Sequence, residues 1–199
     1  LDSHRPHMGV IEHLRGDILM YDPRDQEETL STNVIASRQG HRADLQKLLA
    51  ESLISEGSCL RLDHRLQKIT QDTSQVKLSF TNGNIDYCDI VIGADGLKSA
   101  VRELLYSSEP ANFTGFVAWR GLVDRSLVKD ISLDPHFATY SSSDKLFVRY
   151  PVRNGALLNY VAIARKDDFL SESWAEPAEV SEVAAQFSDW HKDVSDIIL

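Results

Sequence analysis

The chain has 199 residues, 42% hydrophobic and 26% charged, which is ordinary for a globular protein and enough for one good core or one and a half domains. Its formal net charge of -9 argues against nucleic acid as a partner, because that needs clustered Lys and Arg to neutralise phosphates. No apolar run approaches a membrane span, Leu1 to His13 lacks a signal-peptide pattern, and Cys59 and Cys88 have no metal-ligand spacing. A reduced, cytoplasmic setting is expected, with a single disulfide as the alternative. The chain opens on Leu rather than Met, so a fragment or processed product is expected.

In chain order, Val10-Ile11 and Ile18 to Tyr21 read as short strands with Arg15-Gly16-Asp17 as the turn between them. His4 and His7 lack a third ligand, so zinc is not expected there. Pro23 to Thr29 reads as a charged loop. Residues 41–57 form the clearest helix, with Leu45, Leu48, Leu49 and Leu53 on one face, Asp44 in the first turn and Gly57 as the stop. Cys59 to Leu62 and Leu66 to Ile69 suit short strands. Val76 to Phe80 alternates with Val76, Leu78 and Phe80 inward, and Asn82-Gly83-Asn84 turns it back into Ile85 to Cys88.

Residues 87–102 read as strand, glycine turn and helix. Ile90, Val91 and Ile92 suit a strand buried on both faces, and Gly93 and Gly96 let a ligand approach the main chain. Asp95 falls where the strand ends, the usual ligand crevice of an open α/β sheet, and its carboxylate suits ribose or ribityl hydroxyls. Ser99 lies near the start of the next helix, whose free N–H groups favour phosphate. Ser107 to Pro110 reads as a linker. Phe116 to Val123, Phe137 to Ser141, Leu146 to Val152 and Leu157 to Arg165 then read as four strands without intervening helices, hence an antiparallel sheet. Pro177 to Leu199 opens on an amphipathic helix with Val180, Val183, Ala184, Phe187 and Trp190 on one face. No Gly-x-Ser-x-Gly nucleophile elbow and no phosphate-binding Gly-x-x-x-x-Gly-Lys loop is present in the sequence.

The string Asp89-Ile-Val-Ile-Gly93-Ala-Asp95-Gly96-x-x-Ser99-x-Val101-Arg102 resembles the "DG" motif of the single-component FAD-dependent aromatic hydroxylases. His41-Arg42-Ala43-Asp44-Leu45 is similar to the HRxDL segment of that family. Thr114 to Gly121, Tyr150 to Gly155 and Leu158 to Ala162 resemble its salicylate hydroxylase-like branch. The resemblance implies an α/β, Rossmann-like FAD-binding domain, incomplete here, plus an α+β substrate domain built on an antiparallel sheet. The corresponding division is a partial FAD domain over 1–110, whose N-terminal hairpin joins either part, a substrate sheet over 111–175, and a helix over 176–199 leading back.

The resemblance also implies chemistry. FAD is the cofactor, NAD(P)H the reductant and molecular oxygen the co-substrate, and a small phenolic or hydroxybenzoate-like ring is hydroxylated by way of a flavin hydroperoxide. Arg42 would reach the flavin, Asp95 would hold it, Gly93 and Gly96 would shape the turn, and Leu66 would lie near adenine. Tyr150 would contact the substrate. Read as residues alone, Arg42 is expected to pair with Asp44 or Glu51 on the surface, and only the later motif turns it to the cofactor; Leu66 could equally be core, and Tyr150 an ordinary strand tyrosine. Arg102 reads as structural. Leu146 stands where some relatives carry a histidine. The family's Gly-x-Gly-x-x-Gly and Gly-Asp-Ala-Ala-His segments are not in the sequence, so a central fragment that binds FAD weakly alone is expected. The alternatives are a non-catalytic binding module and a related flavin oxidoreductase.

Overall fold

The computed structural model describes residues 8–22, 40–106, 109, 112–166 and 177–199. His4, His7, the Pro23 to Thr29 loop and most of the Ser107 to Pro110 linker lie outside the described residues. By internal packing the chain divides into two compact units, Leu1–Leu48 with Thr114–Leu199, and Leu49–Phe113.

The first unit is a six-stranded mixed sheet. Its strands are β1 (Met8–Glu12), β2 (Ile18–Asp22), β6 (Phe116–Asp124), β7 (Phe137–Ser141), β8 (Lys145–Val152) and β9 (Leu157–Arg165), in the order β2-β1-β7-β8-β9-β6. β1 runs parallel to β7, and the other neighbours are antiparallel. Alternation along β7, β8 and β9 sends Ala138, Tyr140, Phe147, Leu158, Tyr160 and Ala162 to one face, where they are buried. Helices α3 (Val180–Gln186) and α4 (Lys192–Ile198) supply Val183, Val194, Ile197 and Ile198 to that core, with Phe187 and Trp190 from the turn between them. Phe147 lies at the centre, stacked on Tyr160 at 5.4 Å and edge-on to Phe187 at 6.0 Å, geometries that aromatic quadrupoles favour.

The expected single C-terminal helix is two. Phe187 closes α3 with φ -119° and ψ 20°, and the His191 ring caps α4 by accepting from the Asp193 N–H. The break is fixed by the N-terminal hairpin: the His191 N–H donates to the His13 carbonyl at 2.6 Å, and the His13 ring packs on Trp190. Helix α3 also begins at Val180, so Pro177 precedes its first turn and Val180 is exposed.

The second unit holds a three-stranded antiparallel sheet, β3 (Leu66–Gln71), β4 (Val76–Phe80) and β5 (Ile85–Cys88), with the short helix α2 (Ala100–Leu105) packed against β3. Gly83, at φ 86°, allows the β4–β5 turn, and its N–H donates to the Phe80 carbonyl at 3.0 Å. Helix α1 (Arg42–Ser55) spans the boundary after Leu48. It ends as the sequence suggests: the Ser58 N–H reaches the Leu53 carbonyl and the Gly57 N–H the Ile54 carbonyl, with Gly57 at φ 76°.

Three expectations are corrected here. Ile90 to Ile92 is not a strand, and Ile90 and Ile92 are 77% and 86% exposed. A strand buried on both faces needs neighbours on both sides, and the described residues supply none. Cys59 to Leu62 is likewise irregular and exposed rather than a strand. The leucine face of α1 exists, but Leu45, Leu48, Leu49 and Leu53 are all exposed. Both cysteines are free thiols. Among the described residues, no helix is long and apolar enough to cross a membrane and no group of His, Cys, Asp and Glu is arranged to hold a metal.

Candidate functional site

The candidate site residues fall in both units. In the second unit, Gly93, Asp95 and Gly96 share one turn that leads into α2. Asp95 Oδ1 accepts from Ser99 Oγ at 2.5 Å, and Oδ2 accepts from the Val101 N–H at 3.1 Å. These bonds, the Ser99 hydroxyl first and the Val101 N–H second, hold the Asp95 carboxyl below the ordinary carboxylate range. Ser99 caps α2 by accepting from the Arg102 N–H at 3.0 Å, and the Arg102 guanidinium donates to the Leu97 carbonyl. Arg102 therefore braces the turn. Asp95 and Ser99 take the Val101 and Arg102 N–H groups, so these two are not open to phosphate as the sequence suggested.

The glycines have separate reasons. A Cβ at Gly93 would lie 3.0 Å from the Val101 side chain, so its absence lets the turn close on α2. Gly96 sits at φ 78°, and nothing lies within 4 Å of where its Cβ would be. The main chain at Gly96 is thus open to an approaching group. Asp95 is exposed, and the backbone N–H groups of Asp95 and Ala100 also act on its carboxylate. An ionised acceptor beside open backbone can take hydrogen bonds from the hydroxyls of a bound ligand. Leu66, in the same unit, is the half-buried first residue of β3, paired with Phe80.

The remaining candidates lie in the first unit. Arg42 opens α1 and is exposed; the His41 carbonyl before it accepts from the Asp44 and Leu45 N–H groups, each at 3.1 Å. Asp44 takes a bidentate ion pair from Arg153, at 2.8 and 2.7 Å. That guanidinium lowers the Asp44 carboxyl below its ordinary value. Arg153, Asn154 and Gly155 form the β8–β9 turn with φ of 53°, 55° and 79°. So the start of α1, with Arg42, is tied to the turn three residues after Tyr150.

Tyr150 lies on the face of the sheet opposite Phe147 and Arg149, half-buried, with Asn159 beside it on β9. Its ring stacks on Phe137 at 5.6 Å and 9°. Val148, Val161, Leu146 and Ile163 continue this face, an apolar wall bearing a few polar groups. Sequence reasoning missed both the Phe137 stack and the Arg153–Asp44 pair. The local signals were present, a strand and a turn, but each partner is set by register or by a distant helix.

A family model described as an FAD binding domain matches residues 6–195. The chain belongs to the FAD binding domain family. Among curated proteins, it is 30% identical over 169 residues to a salicylate hydroxylase of Pseudomonas putida, covering 75% of this chain and 38% of that one. It is 28% identical over 158 residues to 3-amino-4-hydroxybenzoate 2-monooxygenase of Streptomyces cremeus, covering 79% and 38%. The chain thus spans well under half the length of these relatives. Among solved structures, HpxO of Klebsiella pneumoniae complexed with FAD and uric acid superposes with a TM-score of 0.75 at 21% identity, over 97% of this chain and 48% of that one. A salicylate hydroxylase substrate complex gives 0.71 at 21%, over 98% and 49%. At these identities the superpositions establish the fold: an FAD-binding fold with a mixed sheet and a smaller antiparallel sheet.

Proposed function

We propose that this chain is the part of an FAD-dependent aromatic monooxygenase that holds the flavin through residues 93–96 and presents the open face of the six-stranded sheet to the substrate. The observation that carries the reading is Asp95: ionised and exposed, beside open main chain at Gly96, in a chain of the FAD binding domain family. Bound FAD, reduced by NAD(P)H, would supply activated oxygen for an aromatic ring, and the hydroperoxide route implied by the resemblance is part of this proposal.

The chain's own residues bind and orient. Asp95 accepts hydrogen bonds from ribose or ribityl hydroxyls, Gly93 lets the turn close on α2, and Gly96 leaves the main chain open to the nucleotide. Arg42 offers a guanidinium fork for pyrophosphate or a flavin carbonyl. Leu66 lies towards adenine. The Tyr150 hydroxyl donates to an anionic phenolic or carboxylate oxygen, while Phe137, Val148 and Val161 exclude water from the ring. A small aromatic acid suits an apolar wall of this kind, and the relatives' names carry 3-amino-4-hydroxybenzoate and salicylate. The division into a flavin part within 1–110, a substrate sheet over 111–175 joined by the N-terminal hairpin β1–β2, and a returning segment over 176–199 belongs to the same reading, as does a cytoplasmic setting.

The test compares the natural full-length product with its Asp95→Ala variant. We expect the wild type to retain flavin through desalting and to oxidise NAD(P)H faster when salicylate is added, and the variant to bind flavin about tenfold more weakly, as for loss of a charged acceptor. Equal flavin retention by both proteins would remove Asp95 from the cofactor site. Flavin-dependent NAD(P)H oxidation without hydroxylated product would mark a flavin oxidoreductase instead.

A further inference from the structure

Among the described residues, Arg149 is the one charged side chain that is fully buried, at 1% exposure. It lies on the covered face of β8, between Ala138 on β7 and Tyr160 on β9. Its Nη1 donates to the Pro135 carbonyl at 3.0 Å, its Nε has no hydrogen-bond partner, and no carboxylate among the described residues forms an ion pair with it. A buried guanidinium with no carboxylate is a poor source of stability, since an apolar side chain of similar volume packs as well without the desolvation cost. The guanidinium also acts on the Tyr140 hydroxyl, which donates to Asp193 Oδ2 at 3.2 Å; that network gives the position one reason and leaves room for a second.

The bond to Pro135 supplies that second reason. Pro135 stands two residues before Phe137, where β7 enters the sheet. Three contacts hold this entry. Arg149 grips the Pro135 carbonyl. The Pro135 ring lies so close to Gly9 that a Cβ there would come within 2.5 Å of Cγ. The Tyr21 hydroxyl donates to Asp134 Oδ1 at 3.0 Å. Strand alternation then carries the effect through the sheet: Ala138 and Arg149 pair on the covered face, and Phe137 and Tyr150 stack on the open one.

We propose that Arg149 is a positioning residue which, by fixing the entry of β7, sets Phe137 and through it the phenol of Tyr150 that meets the substrate. The inference rests on the reading of Tyr150 as a substrate contact. Its geometric part can be tested without flavin. In the 199-residue chain labelled with 3-fluorotyrosine, the Tyr150 resonance is assigned by its loss in Tyr150→Phe. We expect that resonance to shift or broaden in Arg149→Met and in Phe137→Leu, and to return towards its wild-type position in Arg149→Lys, which keeps a donor. A Tyr150 resonance unmoved in Arg149→Met overturns the proposal. If Arg149→Met does not fold, Arg149→Gln carries the same comparison.

The functional part uses the natural flavoprotein, with salicylate titrated against the flavin absorbance. Tyr150→Phe and Arg149→Met should each weaken binding about tenfold, and the double variant about tenfold rather than a hundredfold, because one acts through the other. A hundredfold loss in the double variant would make Arg149 independent of Tyr150 and overturn the proposal. No loss in Tyr150→Phe would overturn the substrate role of Tyr150 while leaving the fluorine result on Arg149 intact.

Discussion

The two units bury their apolar residues very differently. Every buried side chain among the described residues belongs to the unit of the six-stranded sheet, where α3 and α4 close over Tyr140, Phe147, Tyr160 and Trp119. In Leu49–Phe113 no described residue is buried, although the segment carries Ile85, Ile90, Ile92, Leu97 and Leu104. The apolar content is not the difference. The first unit has a second layer for its sheet; the described part of the second has a sheet and a short helix with nothing closing over them. A layer without a partner layer folds its backbone but gains little from its side chains.

The largest expected effect tests that contrast directly. Phe147→Ala removes a ring with no exposed surface from the centre of the aromatic cluster and should cost about 3–5 kcal/mol in denaturant unfolding. Ile92→Ala, at an 86% exposed position, should stay within about 0.5 kcal/mol. A comparable loss at both positions would mean that Ile92 is covered in solution, and the contrast would fail.

An intermediate effect is expected at Gly121. It stands opposite Tyr160 in the β6–β9 ladder, and an added Cβ would fall 2.2 Å from Tyr160 Cε1. The Tyr160 ring cannot swing away freely, because it is stacked on Phe147. Gly121→Ala should therefore destabilise the first unit by about 1–3 kcal/mol through overpacking. The spectrum of the β3–β5 sheet should be unaffected, and amide hydrogen exchange would report both units separately. Equal acceleration of exchange in both would show that they unfold as one.

The contrast also explains what could be read from the sequence. Strands such as Phe137–Ser141, Val76–Phe80, Ile85–Cys88 and Leu157–Arg165 were legible because alternation and turn residues are local. The turn around Asp95 was legible for the same reason, being contiguous. Ile90 to Ile92 misled because an apolar run says that a segment wants neighbours, not that it has them. The break at Phe187 to His191 was hidden because it depends on His13, at the other end of the chain. Phe137, Arg149 and Arg153 were hidden because register and tertiary contacts, not spacing, give them their partners.

The smallest expected effect concerns the tie between α1 and the sheet, the Asp44–Arg153 pair. Both side chains are 49% exposed, so the pair adds little to stability at neutral pH and is screened by salt. Its signature is its dependence on pH. The Asp44 carboxyl is lowered in the folded chain, chiefly by Arg153. Its contribution is therefore fully present above the unfolded carboxylate value of about 3.9 and is lost as pH falls through the lower folded value. Arg153→Gln keeps the left-handed backbone requirement at this position and removes the charge. The melting temperatures of wild type and variant should differ by a small constant amount from neutrality to about pH 4, then converge on further acidification. The gap should also close as sodium chloride rises from about 0.01 to 1 M. A gap indifferent to both pH and salt would assign the role of Arg153 to the turn conformation. The helix that carries Arg42 would then be held to the sheet by packing rather than by charge.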